Sequence, residues 1–313
     1  MSSQLSEARM KEIFRDDVFR GEVFADELMR AHTTLRIGGP ADIYAIPRDL
    51  SSLRNLLLAL KDEGVAAMPL GGGSNVLVSD EGIEGAVISM AFLNQVEIIE
   101  ESVDEVRLFV EAGTPLQKLV SFAKAEGYGG IEGLVGIPGC VCGAVKGNAG
   151  SFGFEISDVV ESVTVILMDG TVRVIEHGAL GLGYRSCALS DGDIILSVNV
   201  RLKKGDAKEI SRRSEEFLQE KLEKQPISKF SAGCVFKNPP GAYAGRLIDE
   251  AGCKGMKRGD IEVSKLHANF FVNRGRGSAS DFLGLMEDVN ERVATSFQVE
   301  LETEIRIAGR YSK

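Results

Sequence analysis

Residues 69–80 read PLGGGSNVLVSD, three consecutive glycines and a serine between two extended segments. Glycine reaches left-handed backbone angles and allows close approach to the main chain. Gly71, Gly72 and Gly73 can therefore turn successive N–H groups around a phosphate, with Ser74 and Asn75 as further donors. The dinucleotide fingerprint of doubly wound folds also clusters glycines, but there they open a helix. Here VLVSD follows and has strand character, so the stretch does not read as a Rossmann turn. Taken alone, a tight glycine turn without a ligand explains it equally well.

Working outward, DIYAIP (42–47) is a strand pattern, and the leucines of DLSSLRNLLLALKDEG (49–64) recur at helical spacing. Asp49 or Ser51 caps that helix and Gly64 ends it, which with VAAMPL (65–70) makes a βαβ unit. Residues 86–203 are β-rich: AVISM, VEIIE, VRLFVEAG, SVTVILMDGTVRVIE and IILSVNVRLKKG are strands, with a tight turn at Asp169-Gly170. One helix interrupts them within residues 113–127, capped by Thr114, with Pro115 in its first turn and Leu116, Leu119, Val120 and Ala123 on its apolar face. A charged helix at 207–223 carries Ile210, Phe217, Leu218 and Leu222 on one side, and QPISKF then breaks the pattern. Beyond it come a short helix in AGRLIDEAG and a strand in HANFFVN. A helix at 279–297 follows, with Phe282, Met286, Val289, Val293 and Phe297 on one face. VELETEIRIAGR reads as a strand that returns to an earlier sheet. The class is α+β.

At 313 residues the chain exceeds the usual size of one hydrophobic core, so two or three domains are expected. A formal charge of -10 argues against general nucleic-acid affinity, because phosphate-backbone binding needs clustered Lys and Arg. The N-terminal stretch lacks the plan of a signal peptide and no apolar run is long enough to span a bilayer, so a cytoplasmic protein without membrane insertion is expected. Cysteines 140, 142, 187, 234 and 253 are scattered and odd in number, unlike a disulfide framework. Histidines 32, 177 and 267 are too dispersed for a metal site, and no structural metal is expected.

A second glycine cluster, GLVGIPGCVCGAVKGNAGSFG (133–153), holds seven glycines and a proline, too many for a strand or an ordinary helix. Backbone there must come close to something other than a side-chain core. Together the clusters suggest a long ligand with a diphosphate threaded between two subdomains. Cys140 and Cys142 read as small packed residues. In SAGCVFKNPPG (231–241), by contrast, Cys234 is displayed between flexible small residues and a rigid turn, an unusual setting for a cysteine that only packs.

The chain resembles the UDP-N-acetylenolpyruvoylglucosamine reductase (MurB) family. The resemblance rests on TTLRIGGPAD (33–42), PLGGGSNVLVSD (69–80), GIPGCVCGAVKGNAGSFG (136–153), GLGYRSC (181–187), SAGCVFKNP (231–239), AGRLIDEAGCKG (244–255), VSKLHANFFVNRG (263–275) and LETEIRIAG (301–309), in matching order and spacing from about residue 20 onward.

That resemblance implies an FAD-binding fold of the vanillyl-alcohol-oxidase type, with residues 1–79 and 299–313 as one FAD-binding subdomain, 80–222 as a second and 223–298 as a substrate domain. It implies noncovalent FAD near Gly71, Gly72, Gly73, Ser74, Asn75, Gly139, Gly143, Asn148, Ala149 and Gly150, with NADPH as hydride donor. The implied substrate is a UDP-sugar bearing an enolpyruvyl group, reduced for peptidoglycan synthesis. Arg185, Cys234 and Glu304 fall at the catalytic positions, with Cys234 as proton donor, and Lys237 and Asn238 are candidate substrate contacts. His267 is structural. The family commonly has serine where Cys234 stands. The 48 residues between Arg185 and Cys234 match its shorter class, which lacks a tyrosine-bearing loop. Two other functions fit the glycine clusters: an FAD-dependent oxidase or dehydrogenase of a hydroxy acid or sugar lactone, and a non-catalytic nucleotide-sugar binding protein.

Overall fold

The computed structural model describes residue 10, residues 12–15 and residues 17–310. The helical reading of the N-terminus falls largely outside these residues. Within them, the Phe14 amide donates to the Met10 carbonyl at 3.1 Å, one helical turn.

In chain order, β1 (Gly21–Leu28) and β2 (Pro40–Pro47) precede α1 (Leu50–Asp62), β3 (Ala67–Leu70), β4 (Val76–Val78) and β5 (Ile83–Ser89). Then come β6 (Val96–Glu101), β7 (Glu105–Glu111), α2 (Leu116–Glu126), α3 (Val141–Lys146), β8 (Val160–Ile166), β9 (Val172–Glu176), β10 (Ile194–Lys204) and α4 (Ala207–Lys224). The last part holds α5 (Ala244–Glu250), β11 (Ile261–Val263), β12 (Phe271–Asn273), α6 (Ala279–Phe297) and β13 (Arg306–Ala308). These elements pack as two units. One is the chain up to Ala25 with Asp42–Gly72 and Gly85–Gln219; the other is Asp26–Ala41 and Gly73–Glu84 with the chain from Glu220 onward.

In the first unit one sheet has the order β1-β2-β5-β3. The βαβ reading holds in part: β2 and β3 share this sheet across α1, but β5 lies between them, parallel to β3 with Ala86 opposite Ala67. Six of the seven β5 residues are buried, and a strand covered on both faces takes a central place. Helix α1 lays Leu53, Leu56, Leu57 and Leu60 into the core. The Asp49 carboxylate accepts the Ser52 amide at 2.7 Å to start the helix, and Gly64 follows its end at φ +65°.

A second sheet runs β9-β8-β10-β7-β6, antiparallel throughout, with Tyr128–Gly129 pairing beside the end of β10. The turn between β8 and β9 closes with the Leu167 amide on the Thr171 carbonyl at 2.9 Å and Gly170 at φ +76°. It is therefore a three-residue loop with its glycine in the left-handed position, one residue wider than the minimal hairpin. Helix α2 buries the expected face, but Thr114 does not cap it. The Thr114 hydroxyl donates to the Gln95 carbonyl at 3.2 Å, and Pro115 takes the N-cap position.

Helix α4 corrects one expectation. Leu222 is 50% exposed, while Ser214 and Lys221 are buried along with Ile210. Lys221 lies eleven residues after Ile210, close to three full turns, whereas Leu222 is rotated by about another 100°. Burial pulls the Lys221 ammonium pKa down to about 8.

In the second unit, β13 pairs parallel with β4, so the closing strand does return to an earlier element. Helix α6 begins with a reciprocal capping box between Ser278 and Asp281. Asp80, just past β4, accepts the Ala279 and Ser280 amides at 2.8 and 3.0 Å, fastening the first turn of α6. Phe282, Met286, Val289 and Val293 are buried with Phe236, Phe271 and Leu77, and Phe297 packs against that core. Among the described residues no helix is long and apolar enough to cross a membrane.

The cap of α1 carries a pH signature. The Ser52 amide bond, opposed by partial burial, holds the Asp49 carboxyl below its usual range. Its stabilisation is therefore present above the unfolded-state pKa and is lost as pH falls through the folded-state value. Asp49→Ala is expected to cost about 1 kcal/mol at neutral pH by denaturant unfolding, and the gap between the proteins should close in strong acid.

Candidate active site

The two glycine clusters meet within the first unit. A Cβ built on Gly72 would sit 2.6 Å from the Gly139 Cα, and one on Gly71 would strike the Cys140 sulfur. Only glycine permits that approach. Gly72 is exposed, as is Gly143, where a Cβ would meet nothing within 4 Å. Main chain at Gly71, Gly72, Gly139 and Gly143 thus forms a side-chain-free surface. The second cluster is not wholly irregular, as its composition suggested: residues 141–146 form the short helix α3.

The rest of that cluster is committed to its own loop. Asn148, at φ +38° and buried, donates its side-chain amide to Glu155 and to the Gly183 carbonyl at 3.0 Å each, and accepts the Ser157 amide at 3.2 Å. Its side chain organises the turn. The Ala149 amide closes the helix end on the Ala144 carbonyl at 2.7 Å, and Gly150 pairs across from Glu155.

Arg185 sits in the tight turn 183–186, itself at φ +51°. Its guanidinium donates to the Asn148 carbonyl at 3.2 Å and the Gly150 carbonyl at 3.1 Å and lies 5.4 Å from the centre of the Tyr184 ring. Arg185 is thus held against the second glycine cluster and is not a freely solvated surface cation.

In the second unit, Gly73 turns at φ +60° against the His32 carbonyl, and Thr34 donates its amide to the Gly73 carbonyl at 3.0 Å. Ser74 is half-buried. The Asn75 side chain donates to the Glu304 carbonyl at 3.1 Å, and the Asn75 carbonyl accepts the Arg306 amide at 3.0 Å. Asn75 therefore holds the strand that carries Glu304.

Cys234 and Glu304 lie on adjacent segments, with Val235 and not Cys234 opposite Glu304. The Glu304 amide donates to the Val235 carbonyl at 2.8 Å, Phe236 bridges Thr303, and Cys234 bridges Phe270 on the other side. The segment 234–237 is thus a short extended strand between two others, entered through Gly233 at φ +77°. Cys234 and Glu304 are both half-buried. Lys237 pairs with Glu302 at 2.6 Å, and Glu302 is 73% exposed, so this ion pair exchanges at little cost. The Asn238 side-chain oxygen accepts the Ala244 amide at 3.0 Å, starting α5.

Asn269 is the residue that sequence reasoning passed over. Its buried side chain accepts the Phe236 amide at 3.0 Å and donates to the Phe236 carbonyl at 2.7 Å, while its carbonyl accepts the Val235 amide at 2.8 Å. It clamps the strand next to Cys234. An asparagine amid the apolar residues of HANFFVN, one of two there, was the available signal. His267 takes the structural role expected of it: its Nδ1 accepts the Asn269 amide at 3.3 Å, and burial, aided by the Lys254 charge, keeps its pKa below the usual value.

A family model for the C-terminal domain of UDP-N-acetylenolpyruvoylglucosamine reductase matches residues 225–308, and one for an FAD binding domain matches residues 41–176. The reductase of Pelobacter propionicus is 43% identical over 285 residues, covering 91% of this chain and 95% of its own. The chain belongs to the UDP-N-acetylenolpyruvoylglucosamine reductase family. The family member from Geotalea uraniireducens is 42% identical, with 91% and 93% covered. The crystal structure of the Thermus caldophilus reductase superposes with a TM-score of 0.79 at 38% identity, over 93% of this chain and 99% of that one. Physcomitrella patens BBE-like 1 variant D396N shares the fold at 14% identity and a TM-score of 0.51, over 93% of this chain and 60% of that one. The reductase family thus carries the α+β FAD-binding fold expected from the motifs.

The Asn269 clamp predicts a measurable cost. Asn269→Ala leaves the Phe236 amide and carbonyl buried without their partner, and the loss of unfolding free energy is expected at about 1–3 kcal/mol by denaturant titration. A change within a few tenths of a kcal/mol would show that the clamp is not structural.

Proposed function

We propose that this chain reduces UDP-N-acetylglucosamine-enolpyruvate to UDP-N-acetylmuramate with NADPH, through noncovalently bound FAD, in peptidoglycan precursor synthesis. The observation that carries the reading is end-to-end likeness to reductases of that name, at 43% identity over 91% of the chain. The C-terminal match at 225–308 favours this activity over a hydroxy-acid oxidase or a non-catalytic binding protein. Residues 223–298 serve as the substrate region, and the two FAD-binding subdomains occupy the rest. The cytoplasm, where NADPH and nucleotide sugars are made, is the setting we assign.

The residues present suit FAD. Gly71, Gly72, Gly139 and Gly143 offer main chain that a diphosphate can approach, and a Cβ at Gly143, which would meet nothing of the protein within 4 Å, would stand in that open space. Attachment through histidine has no support: His32 pairs with Glu27 at 2.8 Å, and His177 Nδ1 lies 2.9 Å from the Val160 carbonyl. Bound FAD supplies hydride transfer, accepting from NADPH and delivering to the enolpyruvyl double bond.

The protein supplies charge stabilisation and a proton. Hydride addition at the distal vinyl carbon leaves negative charge beside the carboxylate, which the Arg185 guanidinium stabilises. The Cys234 thiol protonates the other carbon; a thiol, with an ordinary pKa of about 8.5, is a far stronger acid than the serine hydroxyl common in the family. Glu304, held beside Val235 and by Asn75, organises this donor. Lys237, released from Glu302, meets the diphosphate of the UDP-sugar, and the Asn238 amide nitrogen faces the sugar.

Two experiments test the reading. Gly143→Val, whose Cβ would meet nothing within 4 Å, should remain folded by circular dichroism yet lose most of its FAD, read as absorbance co-eluting in gel filtration; full FAD content would remove Gly143 from the cradle. In anaerobic rapid mixing, NADPH should bleach the flavin and the enolpyruvyl substrate should restore it. Cys234→Ser should retain that return. Cys234→Ala and Glu304→Gln should bleach normally but recover at least about 100-fold more slowly. Normal recovery in Cys234→Ala would remove the cysteine from the proton-donor role.

A further inference from the structure

The sequence Cys140-Val141-Cys142 lies at the start of α3, inside the second glycine cluster. The two sulfurs are 3.1 Å apart, and neither cysteine is in a disulfide. Residues two apart at a helix start have Cα atoms about 5–6 Å from one another, within the span that a disulfide bridges. Both sulfurs also lie against the first glycine cluster, since a Cβ built on Gly71 would strike the Cys140 sulfur and come within 3.2 Å of that of Cys142. Nothing in the proposed reduction uses either thiol.

We infer that Cys140 and Cys142 form a dithiol–disulfide couple built into the glycine surface, a peroxide-sensitive modification site whose oxidation loosens FAD. Cys140 is buried and Cys142 half-buried, at the first turn of α3. The hydrogen bond shared by the two sulfurs lowers the Cys140 pKa and raises that of Cys142; amides of Gly143, Gly72 and Cys142 assist the former against the cost of burial. The nucleophile and its resolving partner are thereby distinguished.

The chemistry balances. The Cys140 thiolate attacks one peroxide oxygen, the O–O bond breaks, and the departing hydroxide takes up a proton to leave as water. Cys140 is then a sulfenic acid. Cys142 gives up its proton and attacks that sulfur, forming the S–S bond and expelling hydroxide, which leaves as the second water. Two thiols are oxidised and one peroxide is reduced. A small dithiol reverses the change by two exchanges.

Closing the bond draws the sulfurs from 3.1 Å to about 2.05 Å. That movement occurs in the turn on which Gly72 rests, because the Gly72 and Gly139 backbones have no room between them. The effect on FAD rests on the assignment of these glycines to the cofactor.

The test uses the FAD-loaded protein, exposed to graded hydrogen peroxide, alkylated and digested with trypsin. Residues 125–146 form one tryptic peptide containing only these two cysteines. The expected result is a peptide about 2 Da lighter than the reduced, unalkylated form, with no alkyl group and restored by dithiothreitol. Cys142→Ser should instead stop at an oxygen-bearing Cys140. In parallel, FAD fluorescence released on dilution should rise several-fold with disulfide content. Two alkyl groups at peroxide doses that oxidise the other cysteines, or only oxygen-bearing products in the unsubstituted protein, would overturn the couple. Disulfide formation with unchanged FAD release would overturn its link to the cofactor. Were Gly143→Val also to keep its FAD, the failure would lie in the assignment of the cradle.

Discussion

The close approach of Gly72 to Gly139 constrains the rest of the first unit. A Cβ at position 72 would lie 2.6 Å from the Gly139 Cα, so the two turns can meet only as bare backbone. Each turn is tied to an element whose own packing is secure: Gly72 follows β3, which lies beside the buried β5, and the Gly139 carbonyl accepts the Leu116 amide at 3.0 Å at the start of α2, which buries Leu116, Leu119, Val120 and Ala123. The cores thus deliver two glycine turns to one place. The cradle proposed for FAD depends on side chains being absent from a surface that side chains elsewhere position.

The second unit solves a different problem, holding a thiol and a carboxylate on neighbouring strands too short to be stable alone. Strand 234–237 is flanked by 302–304 and by the segment around Asn269, with little regular ladder among them. Polar side chains supply what the ladder lacks. Asn269 satisfies both main-chain groups of Phe236, and Asn75 ties the Glu304 carbonyl to the strand after the first glycine cluster. Asn269 is buried, so its deletion strands backbone groups, an asymmetry that makes this clamp costly to remove, whereas Asn75 is exposed and its loss leaves the Glu304 carbonyl to water.

Several residues proposed for ligand contact prove to have structural work as well. Asn148 spends its side chain on Glu155, Gly183 and Ser157, and Asn238 uses its side-chain oxygen on the start of α5. Arg185 donates to two carbonyls of the second glycine cluster. Asparagine and arginine in glycine-rich motifs read equally well as ligand partners and as loop organisers, because both tasks call for the same donors. Motif position alone does not separate them.

The sequence by itself determined the class and the place of the two glycine turns. Alternating runs and helical leucine spacing identified the elements, glycine density marked where backbone must be bare, and a strand after GGGSN excluded a Rossmann turn. These are local properties, set by the period of burial and by sterics within a few residues. Tertiary structure alone decided the order β1-β2-β5-β3, with β5 inserted between β2 and β3, because strand partners are chosen by burial of whole faces. It moved the α4 stripe onto Lys221, which its charge hid from a hydrophobicity pattern. It also decided that Thr114 bonds to Gln95 instead of capping α2, that Asn269 clamps the Cys234 strand, and that Cys140 and Cys142 bring their sulfurs to 3.1 Å. Each of these depends on which distant or differently oriented groups compete for one donor, acceptor or space, and that competition is settled only when the chain has folded.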